Sequence, residues 1–142
     1  MLKLSLINLD ILIPSEKIYT APSVTHGLGV FARISLKKDE VIEICPILEI
    51  PEEELSDLVK TKLLEYYFAW GKDFKSGALV LGFGSLYNHS YSPNGKYIKD
   101  IKDKVVRFIA IKEIKAEEEI LVNYNGHPED KTKLWFEARG KI

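Results

Sequence analysis

The sequence predicts a β-rich α+β domain built of several small sheets and one main helix. Three observations predict it. Short runs of β-branched and aromatic residues recur along the chain, each bounded by Gly, Pro, Asn or Asp, the pattern of strands alternating with turns. Before the C-terminus, only Pro51 to Trp70 carries apolar residues at sustained helical spacing. The 142 residues fit one domain with its own core.

Leu2 to Ile13 is rich in Leu and Ile, is interrupted by Asn8 and Asp10, and has no small-residue cleavage site after it. It is too short to cross a bilayer, so 1–17 reads as a strand or docking arm, a segment suited to homodimer formation. Ile18 and Tyr19 begin a short strand before Pro22. In His26-Gly27-Leu28-Gly29-Val30-Phe31-Ala32 the two glycines permit positive φ and close approach to the backbone. A dinucleotide fingerprint needs a third glycine and a following helix; here Val30 to Ala32 continue as a strand. Lys37 to Glu40 form a charged turn, and Val41 to Ile50 read as one or two strands, with Pro46 marking an edge, bulge or break.

Pro51 and the acids Glu52 to Glu54 suit a helix start. Leu55, Leu58, Val59, Leu63, Tyr66, Tyr67 and Trp70 extend the apolar spacing, and Gly71 stops it. The aromatic cluster Tyr66 to Trp70 reads mainly as core, with room for one ring to face a cleft. Lys96 to Ile101 and Val105 to Ile111 pair as a hairpin across Asp103-Lys104, with lysines 96, 99, 102 and 104 as a solvated face. Ile114 to Tyr124 runs from an acidic turn into a strand ending at Asn123-Tyr124; Gly126 and Pro128 then break the backbone. Leu134-Trp135-Phe136 lies in a charged tail and must pack on the domain or on a ligand.

Composition narrows the function. A net charge of −1 argues against binding nucleic acid through phosphate neutralisation. Cys45 is the single cysteine and there are three histidines, little material for a disulfide framework or a zinc site. A reducing compartment follows, cytoplasmic or nuclear, with no membrane role.

The densest polar cluster is in Leu81 to Asn94, read L-G-F-G-S-L-Y-N-H-S-Y-S-P-N. Asn88, His89 and Ser90 carry short donors and acceptors close to the backbone. Pro93 fixes its own φ and pushes Ser92 toward an extended conformation, so the turn presents Asn88 and His89 in one orientation. With His26 to Ala32 before it and Ile114-x-x-x-Glu-Glu-Ile-Leu-x-Asn-Tyr124 after it, this stretch resembles the three motif blocks of the SET domain, the S-adenosylmethionine-dependent protein-lysine methyltransferases. The resemblance runs from about Ile18 to the C-terminus, and is strongest to short viral and bacterial SET proteins.

The resemblance implies small sheets wrapped in a knot-like arrangement with the C-terminal segment threaded under a loop. It implies a catalytic core over 18–126 and a tail over 127–142 closing the site. It assigns cofactor binding to Gly27, Leu28, Gly29, Asn88 and His89 with Tyr124 and Trp135, catalysis to Tyr124, and the substrate-lysine channel to Tyr66, Tyr124 and Trp135. The partner is a protein with an exposed lysine, a histone tail being the leading case; for a viral protein or bacterial effector the site of action is the host nucleus. The chain departs from the family pattern at Glu117, where Gly is common, at Asn123, where Asp is common, and at Ser85-Leu86-Tyr87, where an Arg-Phe pair often precedes the Asn-His block. The rival reading is a catalytically inactive SET-like module that binds a lysine-containing peptide.

Overall fold

A computed structural model describes residues 11–138. Residues 1–10 of the expected strand or docking arm, 1–17, lie outside the described residues. In the described part of this stretch, Ser15 Oγ donates to the Ile42 carbonyl at 2.7 Å, and Lys17 Nζ to that of Val41 at 2.9 Å. Ile11 and Ile13 are exposed.

Among the described residues, nine strands form two sheets. The smaller contains β1 (Ile18–Pro22), β2 (Leu28–Ala32), β9 (Glu119–Val122) and β6 (Asn88–His89), in that order. The larger runs β4 (Tyr67–Trp70), β5 (Ser76–Val80), β3 (Val41–Ile50), β8 (Val105–Ala110) and β7 (Gly95–Asp100). Helices α1 (Glu52–Leu58) and α2 (Trp135–Ala138) complete the elements, with 3-10 turns at Lys62–Glu65 and Gly84–Leu86.

The long strand β3 holds the larger sheet together by changing partners. Val41 to Pro46 pair with β8 and Ile47 to Ile50 with β5. Pro46 stands at this switch, while the bulge falls earlier, between Val41 and Glu43. The expected hairpin is present, with Lys96 opposite Ile109 and Asp100 opposite Val105. Val30, Leu36, Ile42, Val106, Phe108, Ile114 and Ile120 are fully enclosed between the sheets.

The expected helix is shorter than its apolar spacing suggested. It ends at Leu58, and Thr61 closes it by donating from Oγ1 to the Leu58 carbonyl at 2.7 Å. Tyr67 to Trp70 then form β4, antiparallel to β5. Aromatic residues fit a pleated surface well, and tertiary pairing overrides a helical spacing that Lys60 to Lys62 already weaken. Gly71, at φ 86°, turns the β4–β5 hairpin instead of capping a helix.

β4 and β7 are the two edges of the larger sheet, yet they approach each other. Phe68 meets Tyr97 edge-to-face at 5.1 Å between centroids, and Lys99 Nζ donates to the Ala69 carbonyl at 2.7 Å. Lys99 is therefore not part of a solvated face. Its ammonium lies 5.4 Å from the Phe74 ring centroid, and burial lowers its pKa.

Candidate active site

β9 brings the separated polar residues together. It pairs antiparallel with β2 on one edge and parallel with β6 on the other. The parallel register sets Asn88 opposite Leu121 and His89 opposite Val122. Asn94 fastens the same crossing: Nδ2 donates to the Glu119 carbonyl at 2.9 Å, and Oδ1 accepts from Leu121 N at 2.8 Å. A last strand inserted between two earlier segments is the core of the expected threaded arrangement.

Asn88 is buried at 4% exposure. Its Nδ2 reaches the carbonyls of His26 at 2.9 Å and Leu28 at 3.2 Å, and Glu119 Oε1 at 3.0 Å. The amide thus ties the glycine loop to β9. Glu119 also accepts from Ser23 Oγ, at 2.7 Å on Oε1 and 2.9 Å on Oε2. Gly29 is required here by space, because a Cβ would stand 2.2 Å from Glu119 Oε1. Gly27 is required by conformation, at φ +48°, and no atom lies within 4 Å of where its Cβ would be. Leu28 between them is 49% exposed.

Tyr124 is held from three directions. Its hydroxyl donates to the Tyr87 carbonyl at 2.6 Å, its N–H to His89 Nδ1 at 3.0 Å, and its carbonyl accepts from the Tyr97 hydroxyl at 3.1 Å. Burial, then the nearby Tyr66, Tyr97 and Glu119, raises the Tyr124 phenol well above its ordinary range. Tyr66 and Glu119 are therefore both electrostatic neighbours of this hydroxyl. Tyr97, pushed up to about 12 by burial, likewise stays a phenol.

Tyr87 is itself anchored from below. Its hydroxyl donates to Glu43 Oε1 at 3.0 Å, and its ring stacks on Phe108 at 4.0 Å. Glu43 is buried, and its Oε2 accepts from Phe83 N at 2.9 Å. This carboxylate fixes the segment that leads into Asn88, with Tyr87 where an Arg-Phe pair is common. Burial and Glu43 keep the Cys45 thiol protonated.

The His89 ring braces the chain just after β9. Because Nδ1 accepts from Tyr124 N, the ring proton belongs on Nε2. That Nε2 is buried without a hydrogen-bond partner among the described residues. Burial lowers the His89 pKa, partly offset by Glu137.

The tail docks beside this histidine. The Tyr91 ring meets His89 edge-on at 4.4 Å, and its hydroxyl reaches Glu137 Oε2 at 2.6 Å and the Thr132 carbonyl at 3.2 Å. Lys131 Nζ donates to the Tyr91 carbonyl. Asn123 Nδ2 donates to the Asp130 carbonyl at 2.6 Å, and Asn125 Nδ2 to that of Thr132 at 2.7 Å. Among the described tail residues Leu134 is buried, while Trp135 is 39% exposed at the start of α2.

A cavity of about 530 Å³ opens beside Tyr124, between the two sheet edges. Ala69, Phe74, Tyr97, Lys99, Asn125 and Gly126 complete its lining. Sequence reasoning singled out Tyr124 in this cavity but missed Tyr97 and Lys99. Among the described residues, no three His, Cys, Asp or Glu side chains are grouped to hold a metal.

The sequence model of the SET domain matches residues 27–125. The chain belongs to the SET-domain family. Over 112 residues it is 37% identical to the Schizosaccharomyces pombe histone-lysine N-methyltransferase specific for H3 lysine-37, a match covering 78% of this chain and 71% of the yeast protein. It superposes on the crystal structure of a Plasmodium falciparum candidate histone methyltransferase with a TM-score of 0.63 and 35% identity, covering 84% of this chain and 96% of that one. A chain of an apo ctPRC2 assembly with mutated Ezh2 shares the fold alone, at TM-score 0.62 and 21% identity; the match covers 78% of the SET-domain chain described here but 15% of its counterpart.

Proposed function

We propose that this SET-domain protein transfers a methyl group from S-adenosylmethionine to the side-chain amine of a lysine on a histone or similar basic protein. Its family and its 37% identity to a histone-lysine N-methyltransferase make it a protein-lysine methyltransferase. One observation carries the site assignment: the Tyr124 hydroxyl bonds the Tyr87 carbonyl, and the next residue, Asn88, holds the glycine loop. Tyrosine, amide and loop are thus one connected unit, although nearly a hundred positions separate Gly27 from Tyr124.

The residues fit the donor. Open space over Gly27 and the half-exposed apolar Leu28 offer backbone and apolar surfaces on the loop that Asn88 holds. Gly27, Leu28, Gly29, Asn88, His89 and Tyr124 would hold it, with Trp135 on the docked tail closing over it. When bound, it supplies an electrophilic methyl on a positively charged sulfur.

The chain supplies position and protonation state. A lysine amine has a pKa of about 10.4 and attacks only when neutral. Walls built by Tyr66, Tyr124 and Trp135 would favour the neutral amine by desolvation. The Tyr124 phenol, kept protonated by burial, would orient that amine and not abstract its proton. A histone substrate goes with work in the nucleus or cytoplasm.

The test is incubation with labelled S-adenosylmethionine and separate histones, followed by mass spectrometry. Label on defined lysines supports the proposal. Donor binding without transfer to any histone or basic protein would favour a peptide-binding module.

A further inference from the structure

We propose that Glu119 is the fixed negative charge of this site, giving it preference for a donor whose sulfur is positively charged over the neutral thioether left after transfer. The inference rests on the methyl-transfer reading and adds a residue to it. Glu119 looks at first like one acid of a solvated run, Glu117 to Glu119. Glu117 and Glu118 are exposed, but Glu119 is half-buried on β9.

Its surroundings differ from those of three other partly or fully buried acids: Glu40 pairs with Lys17, Asp100 with Arg107, and Glu43 is enclosed with Tyr87 and Phe83 N. Glu119 takes part in none of the ion pairs among the described residues. Ser23 and Asn88, both neutral, hold it in place. Gly29 leaves the gap it fills. It stands one hydrogen bond from Asn88, the residue after Tyr87, whose carbonyl holds the Tyr124 hydroxyl.

A partly buried charge held by neutral donors costs desolvation that no partner offsets. A site that receives a cation recovers that cost on binding. The reaction suits such an anion. The amine nitrogen forms a bond to the methyl as the S–CH3 bond breaks, and the bonding pair stays on sulfur. The positive charge moves from sulfur to nitrogen and leaves with the product's proton. One fixed anion therefore faces a single positive charge throughout. A brace alone would act differently: it would support the loop equally for both forms of the cofactor.

The experiment measures affinities of S-adenosylmethionine and S-adenosylhomocysteine by calorimetry for three proteins. Glu119→Gln keeps the shape and an acceptor for Asn88 but removes the charge. It should lower the ratio of sulfonium to thioether affinity by about tenfold, the scale of one screened unit charge in a protein. Ser23→Lys keeps the Glu119 side chain and its Asn88 bond but sets a cation beside it, so it should move the ratio the same way even if the Gln variant folds poorly. Equal weakening of both ligands, or an unchanged ratio in Ser23→Lys, would overturn the charge role. Failure of the wild-type protein to bind either ligand would instead overturn the cofactor reading beneath it.

Discussion

Replacing Gly29 by alanine tests the packing at the centre of the site. The new Cβ would lie 2.2 Å from Glu119 Oε1, 3.0 Å from its Cδ and 3.1 Å from Ser23 Cβ. The backbone is not the obstacle, since Gly29 has no positive φ. The carboxylate must retreat by about 1 Å to reach ordinary contact. That motion strains its bonds to Ser23 and Asn88. Hydrogen bonds to charged groups contribute roughly 1.5–3 kcal/mol each, and alanine recovers roughly 0.5–1 kcal/mol of the backbone entropy of glycine. Loss of one such bond leaves a net cost of about 0.5–2.5 kcal/mol, a sizeable share of the roughly 5–15 kcal/mol that holds a domain folded. Urea denaturation reads it directly. Donor affinity should fall as well, because Asn88 loses the carboxylate that orients it. In a Glu119→Ala background the same substitution should cost little, which isolates the clash. Wild-type stability in Gly29→Ala, within about 0.5 kcal/mol, would refute the tight Gly29–Glu119 packing.

Three further outcomes follow from other contacts. Glu117 sits at φ 74°, the left-handed region that disfavours side chains, so Glu117→Gly should stabilise the protein by about 0.5–1 kcal/mol in chemical denaturation. Asn123→Asp replaces the donor on the Asp130 carbonyl with an acceptor; it should cost about 1–3 kcal/mol and raise proteolytic cleavage between 127 and 137, while leaving the rest of the domain resistant. His89 titrates below its ordinary 6.5 because burial disfavours its charged form, so the unfolded chain takes the proton first. Its contribution to stability is complete above about pH 6.5 and is lost as the pH falls through the folded value. Thermal melts should decline over that acid range, and His89→Asn, which keeps an acceptor for Tyr124 N, should flatten the decline.

Much of this arrangement was legible in the sequence where local chemistry and tertiary need agree. Gly27 turns the chain into β2 and Gly29 gives it room, and the β7–β8 hairpin follows from its alternation and turn. Glu117 shows the same agreement in reverse: a position where glycine is common in the family proves to have positive φ. The stretch after Leu58 was misread because Tyr66, Tyr67 and Trp70 satisfy both a helical spacing and a strand, and only β5 decides between them. Glu119 and Lys99 were hidden for a related reason. Each belongs to a charged run, and which member turns inward depends on strands β2 and β4, distant in sequence.

The most direct test of the central claim is Tyr124→Phe, assayed for donor affinity and turnover side by side. The variant loses the hydroxyl that meets the Tyr87 carbonyl at 2.6 Å but keeps the ring, the His89 contact and the glycine loop. The account predicts donor affinity within about twofold of wild type and turnover reduced by about a hundredfold, the cost of misplacing a reacting group. Full turnover in Tyr124→Phe would contradict it.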